Sequence, residues 1–126
     1  MKKIINTDHA PAPVGPYNQS VQVGNLLFIS GQIALDPKTG ELVKETIEAE
    51  THQVFSNIKA ILTAANLGFE NVVKASVFVS DMENYGRINN VYAEYFDEAT
   101  APARELVEVA NLPKYVNIEI SIIAAA

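Results

Sequence analysis

The hydrophobic positions along the chain switch between two periods, and each stretch of constant period predicts one element. Ile4-Ile5 fits a brief first strand. Residues 8–18 (DHAPAPVGPYN) then lose all periodicity and gather Pro and Gly, which predicts an irregular, fairly rigid loop. Ser20–Val23 and Leu26–Ser30 are strand-like, and the two residues between them, Gly24-Asn25, fit a tight hairpin. Asp36-Pro37-Lys38-Thr39-Gly40 reads as a turn. Over residues 46–66 the period lengthens. Val54, Phe55, Ile58, Ile61, Leu62 and Ala65 fall on one helical face, with Asn66 and Gly68 suited to the C-terminal end. Val72–Ser80 is dense in β-branched residues and predicts a buried strand. A second helix is expected over 82–96, with Tyr85, Ile88, Val91, Tyr92, Tyr95 and Phe96 as its apolar side. Pro102 lies in the loop after it. A strand over 104–109, a link at Asn111–Lys114 and a last strand over 116–124 complete the chain.

The order β-β-β-α-β-α-β-β predicts an α+β fold: a single mixed sheet with both helices on one face, in one domain spanning 1–126. In the last strand Ile118, Ile120 and Ile122 point one way, toward the helices, while Glu119, Ser121 and Ile123 point the other. In the strand before it Arg104, Leu106 and Glu108 share one face, and Glu105, Val107 and Val109 the opposite one. A helix-free face of mixed polarity predicts an oligomer with ligand sites lined by that face.

Length and composition narrow the function. A chain of 126 residues that is 48% hydrophobic has enough apolar material for one core without a metal or disulfides. The absence of cysteine removes disulfides, thiolate metal sites and cysteine nucleophiles. A net charge of −6 with no local basic patch argues against nucleic-acid binding. No apolar run approaches a membrane span, and the N-terminus lacks the apolar stretch of a signal peptide, so the expected location is the cytoplasm. His9 falls in the Pro-rich loop, and His52 falls off the core face of the first helix, where solvent is expected. No metal-binding spacing, nucleotide-binding Gly-rich loop or nucleophile elbow is present. Neither a metal nor a cofactor is expected.

Two arginines stand against seven lysines. Arg87, beside Gly86 on the second helix, is expected to face water. Arg104 follows Ala101-Pro102-Ala103 at a strand start, where its planar fork could grip a carboxylate; an ion pair with Glu108, or with Glu119 on the next strand, is the equal alternative. Glu119 lies within an apolar strand (VNIEISII), where desolvation would raise its pKa toward that of a useful base; an interface ion pair is its alternative.

Several runs are more specific. APARELVEVANLPKYVNIEI (Ala101–Ile120) resembles the signature region of the RidA (YjgF-type) imine deaminases. His9–Leu42 and Val72–Phe96 resemble that family's N-terminal half and middle. A GPY loop, an SGQ strand end, an N-x-x-Y helix segment and a PAR…IE pair occur in the family's order. The resemblance implies a chorismate-mutase-like fold and a homotrimer with sites in clefts between subunits. It also implies cofactor-free hydrolysis of 2-imino acids, such as 2-iminobutanoate and 2-iminopropanoate, to 2-oxo acids and ammonia. The substrates would derive from enamines released by pyridoxal-phosphate dehydratases. By the same resemblance Arg104 would bind the substrate carboxylate and Glu119 would activate water. Tyr17, Ser30, Gly31 and Asn89 would line the pocket, and Leu106 would offer its backbone.

The chain departs from the family pattern in three places. Glu105-Leu106 stands where Ser-Cys is common, and Ser121 stands where a second glutamate often does. Strand alternation should point Glu105 away from Arg104. Three other functions use overlapping features: a 2-oxo-acid sensor using the same arginine, a translation-inhibiting ribonuclease, and a holdase. The acidic charge opposes the ribonuclease, and the holdase would need apolar surface that the sequence does not openly display.

Overall fold

The computed structural model describes residues 1–126. Six strands form one sheet in the order β1-β2-β3-β6-β4-β5. They span Lys2–Ile5 (β1), Ser20–Val23 (β2), Leu26–Gln32 (β3), Val72–Val79 (β4), Ala103–Glu108 (β5) and Ile118–Ala125 (β6). Helix α1 covers Ile47–Ala64 and α2 covers Tyr85–Tyr92. The predicted element order and α+β class hold. The β1-β2-β3 meander is antiparallel, and Gly24 turns its second hairpin with φ 58°, as a glycine-first two-residue loop requires. α1 then carries the chain from β3 to β4, leaving a gap between those strands that β6 fills antiparallel to both. β4-α2-β5 closes the sheet with a parallel pair.

Leu27, Ile29, Val77, Val79, Ile118, Ile120 and Ile122 face the helices and are almost fully buried. From α1 they meet Val54, Phe55, Ile58, Ile61 and Leu62, the apolar face predicted by spacing. Three polar α1 residues that the hydrophobic pattern passes over are also buried: Glu50, Thr51 and Asn57. The Asn57 amide donates to the Ile33 and Leu35 carbonyls, both at 3.0 Å, tying α1 to the chain leaving β3. The Glu50 carboxylate accepts from the Asn117 backbone N–H and side-chain amide, both at 2.8 Å, and so fixes the start of β6.

The second helix is shorter than its periodicity predicts. The Asp81 carboxylate accepts from the Glu83 N–H, and a 3-10 turn over Met82–Asn84 precedes α2. After Tyr92 the bonding tightens, with Glu94 N–H donating to the Val91 carbonyl and Tyr95 N–H to that of Tyr92. This brings Tyr95 onto Phe55, stacked at 4.3 Å, and Phe96 against Phe69 at 5.7 Å. Aromatic packing, not helical continuation, therefore determines where 93–96 lie.

Candidate functional site

The expected site residues separate into two groups on opposite faces of the sheet. One group surrounds Glu119. Across β6 the residue is in register with Phe78 of β4, on the face without helices. On its other side β3 carries a bulge: Ile29 pairs with Ile122 and Gln32 with Ile120, so Ser30 and Gly31 together oppose one β6 residue. The bulge brings Gly31 under the Glu119 side chain, where a Cβ on residue 31 would lie 2.5 Å from Glu119 Oε2. Only a glycine leaves that carboxylate where it is. Glu119 is half-buried, and burial pushes its pKa above the ordinary carboxylate value.

The Pro-rich loop is tied to the same place. Ser30 Oγ donates to the Asn18 carbonyl at 2.6 Å. Gln19, buried and not singled out by any motif, accepts from Thr7 N–H at 2.7 Å and donates to the Thr7, Ala10 and Pro11 carbonyls. A single side chain thus replaces the regular hydrogen bonding the loop lacks. Tyr17 is half-exposed, and its hydroxyl accepts from the Val14 N–H at 3.4 Å. A narrow cleft of about 80 Å³ runs between Tyr17, Val14, Gly31, Gln32 and Lys114.

The second group surrounds Arg104, and it lies on the helix side. Arg104 is in register with Ala75 of β4, which is in register with the buried Ile122. Its guanidinium reaches α2: Nη1 donates to Asn89 Oδ1 at 2.9 Å and Nη2 to the Tyr85 hydroxyl at 3.1 Å. It stacks over the Tyr92 ring, 4.6 Å from the centroid. No carboxylate pairs with it. Both ion-pair alternatives for Arg104 are therefore corrected. Glu108 instead accepts from the Met82 N–H at 2.8 Å, and β6, which bears Glu119, is separated from β5 by β4. Arg104 and Asn89 lie on the helix side, so the helix-free face holds only the Glu119 half of the expected site residues.

Leu106 shares the Arg104 face, packed against the core. The Val109 N–H bonds the Val79 carbonyl at 2.9 Å. Counting back by alternation puts the Leu106 backbone on the outer, unpaired edge of β5. Glu105 points away from Arg104, as alternation predicts. On the open face Ser76 Oγ donates to it at 2.5 Å and the Lys74 ammonium lies 3.1 Å away, and together they hold its carboxyl below the ordinary value.

Three other expectations resolve simply. Arg87 is exposed but pairs bidentately with Glu48, at 2.8 and 2.6 Å. His52 is not merely solvated: Nδ1 lies 2.6 Å from the Tyr95 hydroxyl and Nε2 lies 3.7 Å from Glu94. No group of three or more His, Asp or Glu residues is arranged to hold a metal ion, and no helix is long and apolar enough to cross a membrane. A cleft of about 550 Å³ lies between 7–9, 36–38 and the outer face of α1, and none of the expected site residues lines it.

A family model described as Endoribonuclease L-PSP matches residues 7–126. The chain belongs to this family, the YjgF/RidA/RutC proteins. Among its family relatives, a RutC family protein of Pyrococcus horikoshii is 54% identical over 98% of both chains. The 2-iminobutanoate/2-iminopropanoate deaminase of Escherichia coli K12 is 48% identical, again over 98% of each. Two solved structures of the family match as closely in shape. The E. coli YjgF gene product superposes with a TM-score of 0.91 at 46% identity, covering 98% of each chain. E. coli TdcF, solved with bound serine, gives 0.92 at 42% identity, also covering 98% of each. These matches bear out the family resemblance and the fold drawn from the sequence motifs.

Proposed function

We propose that this RidA-family chain hydrolyses 2-imino acids to 2-oxo acids and ammonia without a cofactor. The observation that carries this reading is the state of Arg104. Its guanidinium is oriented by two neutral acceptors and an aromatic face, so its charge is not neutralised by the protein. A fork held this way suits a planar carboxylate. In the proposed reaction Arg104 binds the carboxylate of the imino acid. Glu119 takes a proton from a water that adds to the imine carbon and returns it to the nitrogen; the tetrahedral adduct then passes its hydroxyl proton to the nitrogen as the carbonyl forms and ammonia leaves. The name of the 48%-identical E. coli relative supports this substrate class.

The two groups act together in this reading only across a subunit boundary. Arg104, Asn89 and the Leu106 backbone of one subunit would face Glu119, Gly31, Ser30 and Tyr17 of the next, in a homotrimer. The helix-free face supports such packing. Leu26, Phe28 and Val107 are all more than a third exposed on it, beside Ile123. The expected location is the cytoplasm.

The test couples a threonine dehydratase to this protein and follows 2-oxobutanoate formation. Acceleration that vanishes in Arg104→Ala and falls strongly in Glu119→Gln supports the reading. Removing the arginine should cost about 2–5 kcal/mol of transition-state binding. Saturable 2-oxobutanoate binding with no acceleration would instead make the chain a metabolite-binding protein.

A further inference from the structure

Tyr85 belongs to none of the motifs that point to Arg104, yet it touches that guanidinium directly. It is the first residue of α2. Asn89 and Tyr92 follow at i+4 and i+7, so all three lie on one helical stripe. The stripe forms a cradle. The Tyr92 ring lies 4.6 Å beneath the guanidinium carbon and sets the tilt of its plane. A ring face alone leaves the guanidinium free to rotate within that plane. Two hydrogen bonds to different terminal nitrogens remove this freedom: Asn89 Oδ1 takes Nη1 and the Tyr85 hydroxyl takes Nη2. Both acceptors are neutral, so orientation is gained without cancelling charge. Of the five N–H groups a guanidinium carries, these bonds use two, which leaves donors enough for a bidentate carboxylate.

We propose that Tyr85 is a positioning residue: its hydroxyl fixes the rotation of the Arg104 guanidinium for carboxylate recognition. The inference rests on the reading that Arg104 grips the substrate carboxylate. Tyr85 is 40% exposed, so its hydroxyl contributes little to the core and can be removed without unfolding the chain. Its ring, 5.8 Å from the guanidinium carbon, remains in a phenylalanine variant.

The experiment compares wild type and Tyr85→Phe in the dehydratase-coupled assay and in calorimetric titration with 2-oxobutanoate. A lost hydrogen bond to a charged group should raise both KM and Kd roughly 3–30-fold, with kcat and melting temperature nearly unchanged. In an Arg104→Lys background, where there is no second terminal nitrogen to hold, Tyr85→Phe should change Kd less than twofold. Unchanged KM and Kd in Tyr85→Phe, or an equal penalty in the lysine background, overturns the inference and leaves the carboxylate grip standing. A lowered melting temperature with kcat and KM both impaired overturns it in favour of a structural role. A wild type that neither binds 2-oxobutanoate nor accelerates its formation overturns the reading of Arg104 and this inference together.

Discussion

Arg104 and Glu119 lie on opposite faces of the same sheet, with β4 between their strands. Arg104 reaches into α2, and Glu119 lies over the β3 bulge. A molecule the size of an imino acid cannot touch both in one protomer. Any reaction that uses both residues therefore draws its two halves from two copies of the chain.

Gly31 offers a test confined to the glutamate half. Gly31→Ala places a methyl carbon only 2.5 Å from Glu119 Oε2. The flexible carboxylate swings away and the fold survives. Deaminase activity should fall at least about tenfold, the effect of misplacing a general base, while 2-oxobutanoate binding through Arg104 falls much less. Equal activity in Gly31→Ala would mean that the position of Glu119 is immaterial.

Glu119 also makes a pH prediction. Burial raises its pKa above 4.5, so the folded state holds this proton more tightly than the unfolded chain does. Well below pH 4.5 the group is protonated in both states. As pH rises from there toward the folded value, only the unfolded carboxyl ionises freely, and stability declines across that window. In the proposed reaction Glu119 must be ionised to act as the base, so kcat/KM should rise with pH through the same raised value. Glu119→Gln should abolish the rising limb and flatten the decline in urea-unfolding free energy. A rising limb retained in Glu119→Gln would assign the base to another group.

Glu50 predicts a stability effect beside the site. Its buried carboxylate satisfies two donors of Asn117, two residues before Glu119. Glu50→Ala strands both donors and should cost about 2–4 kcal/mol in denaturant unfolding. Glu50→Gln keeps one acceptor oxygen and should cost less than half as much. Equal losses would mean that packing, not hydrogen bonding, fixes this junction.

Much of the fold is legible in the chain because its periods are clean. The spacing from Val54 to Leu62 and the alternation from Ile118 to Ile122 each identify a buried face directly. The end of α2 is less legible: apolar residues continue through Phe96, but aromatic packing on Phe55 and Phe69 ends the helix first. Motif resemblance points to Arg104, Asn89, Gly31 and Glu119, and the chain brings them together only in pairs. The strand order is what separates the pairs. Nothing in local sequence indicates that β6 inserts between β3 and β4, and that insertion moves Glu119 away from β5. Gln19 and Glu50 are hidden for a different reason: a polar residue that organises backbone donors and acceptors looks like any solvated one until its partners are placed.

The most direct test of a site shared between subunits mixes two inactive variants. Arg104→Ala and Glu119→Gln, unfolded together at equal concentration and reassembled, should recover roughly a quarter of wild-type deaminase activity. In the proposed reaction each site needs an intact arginine from one subunit and an intact glutamate from its neighbour, and random assembly would supply that combination about one time in four. In a protein whose sites are complete within one chain, every subunit would still carry one lesion. Recovery of no activity, in mixtures shown by mass to contain both variants in the same oligomer, would contradict the account.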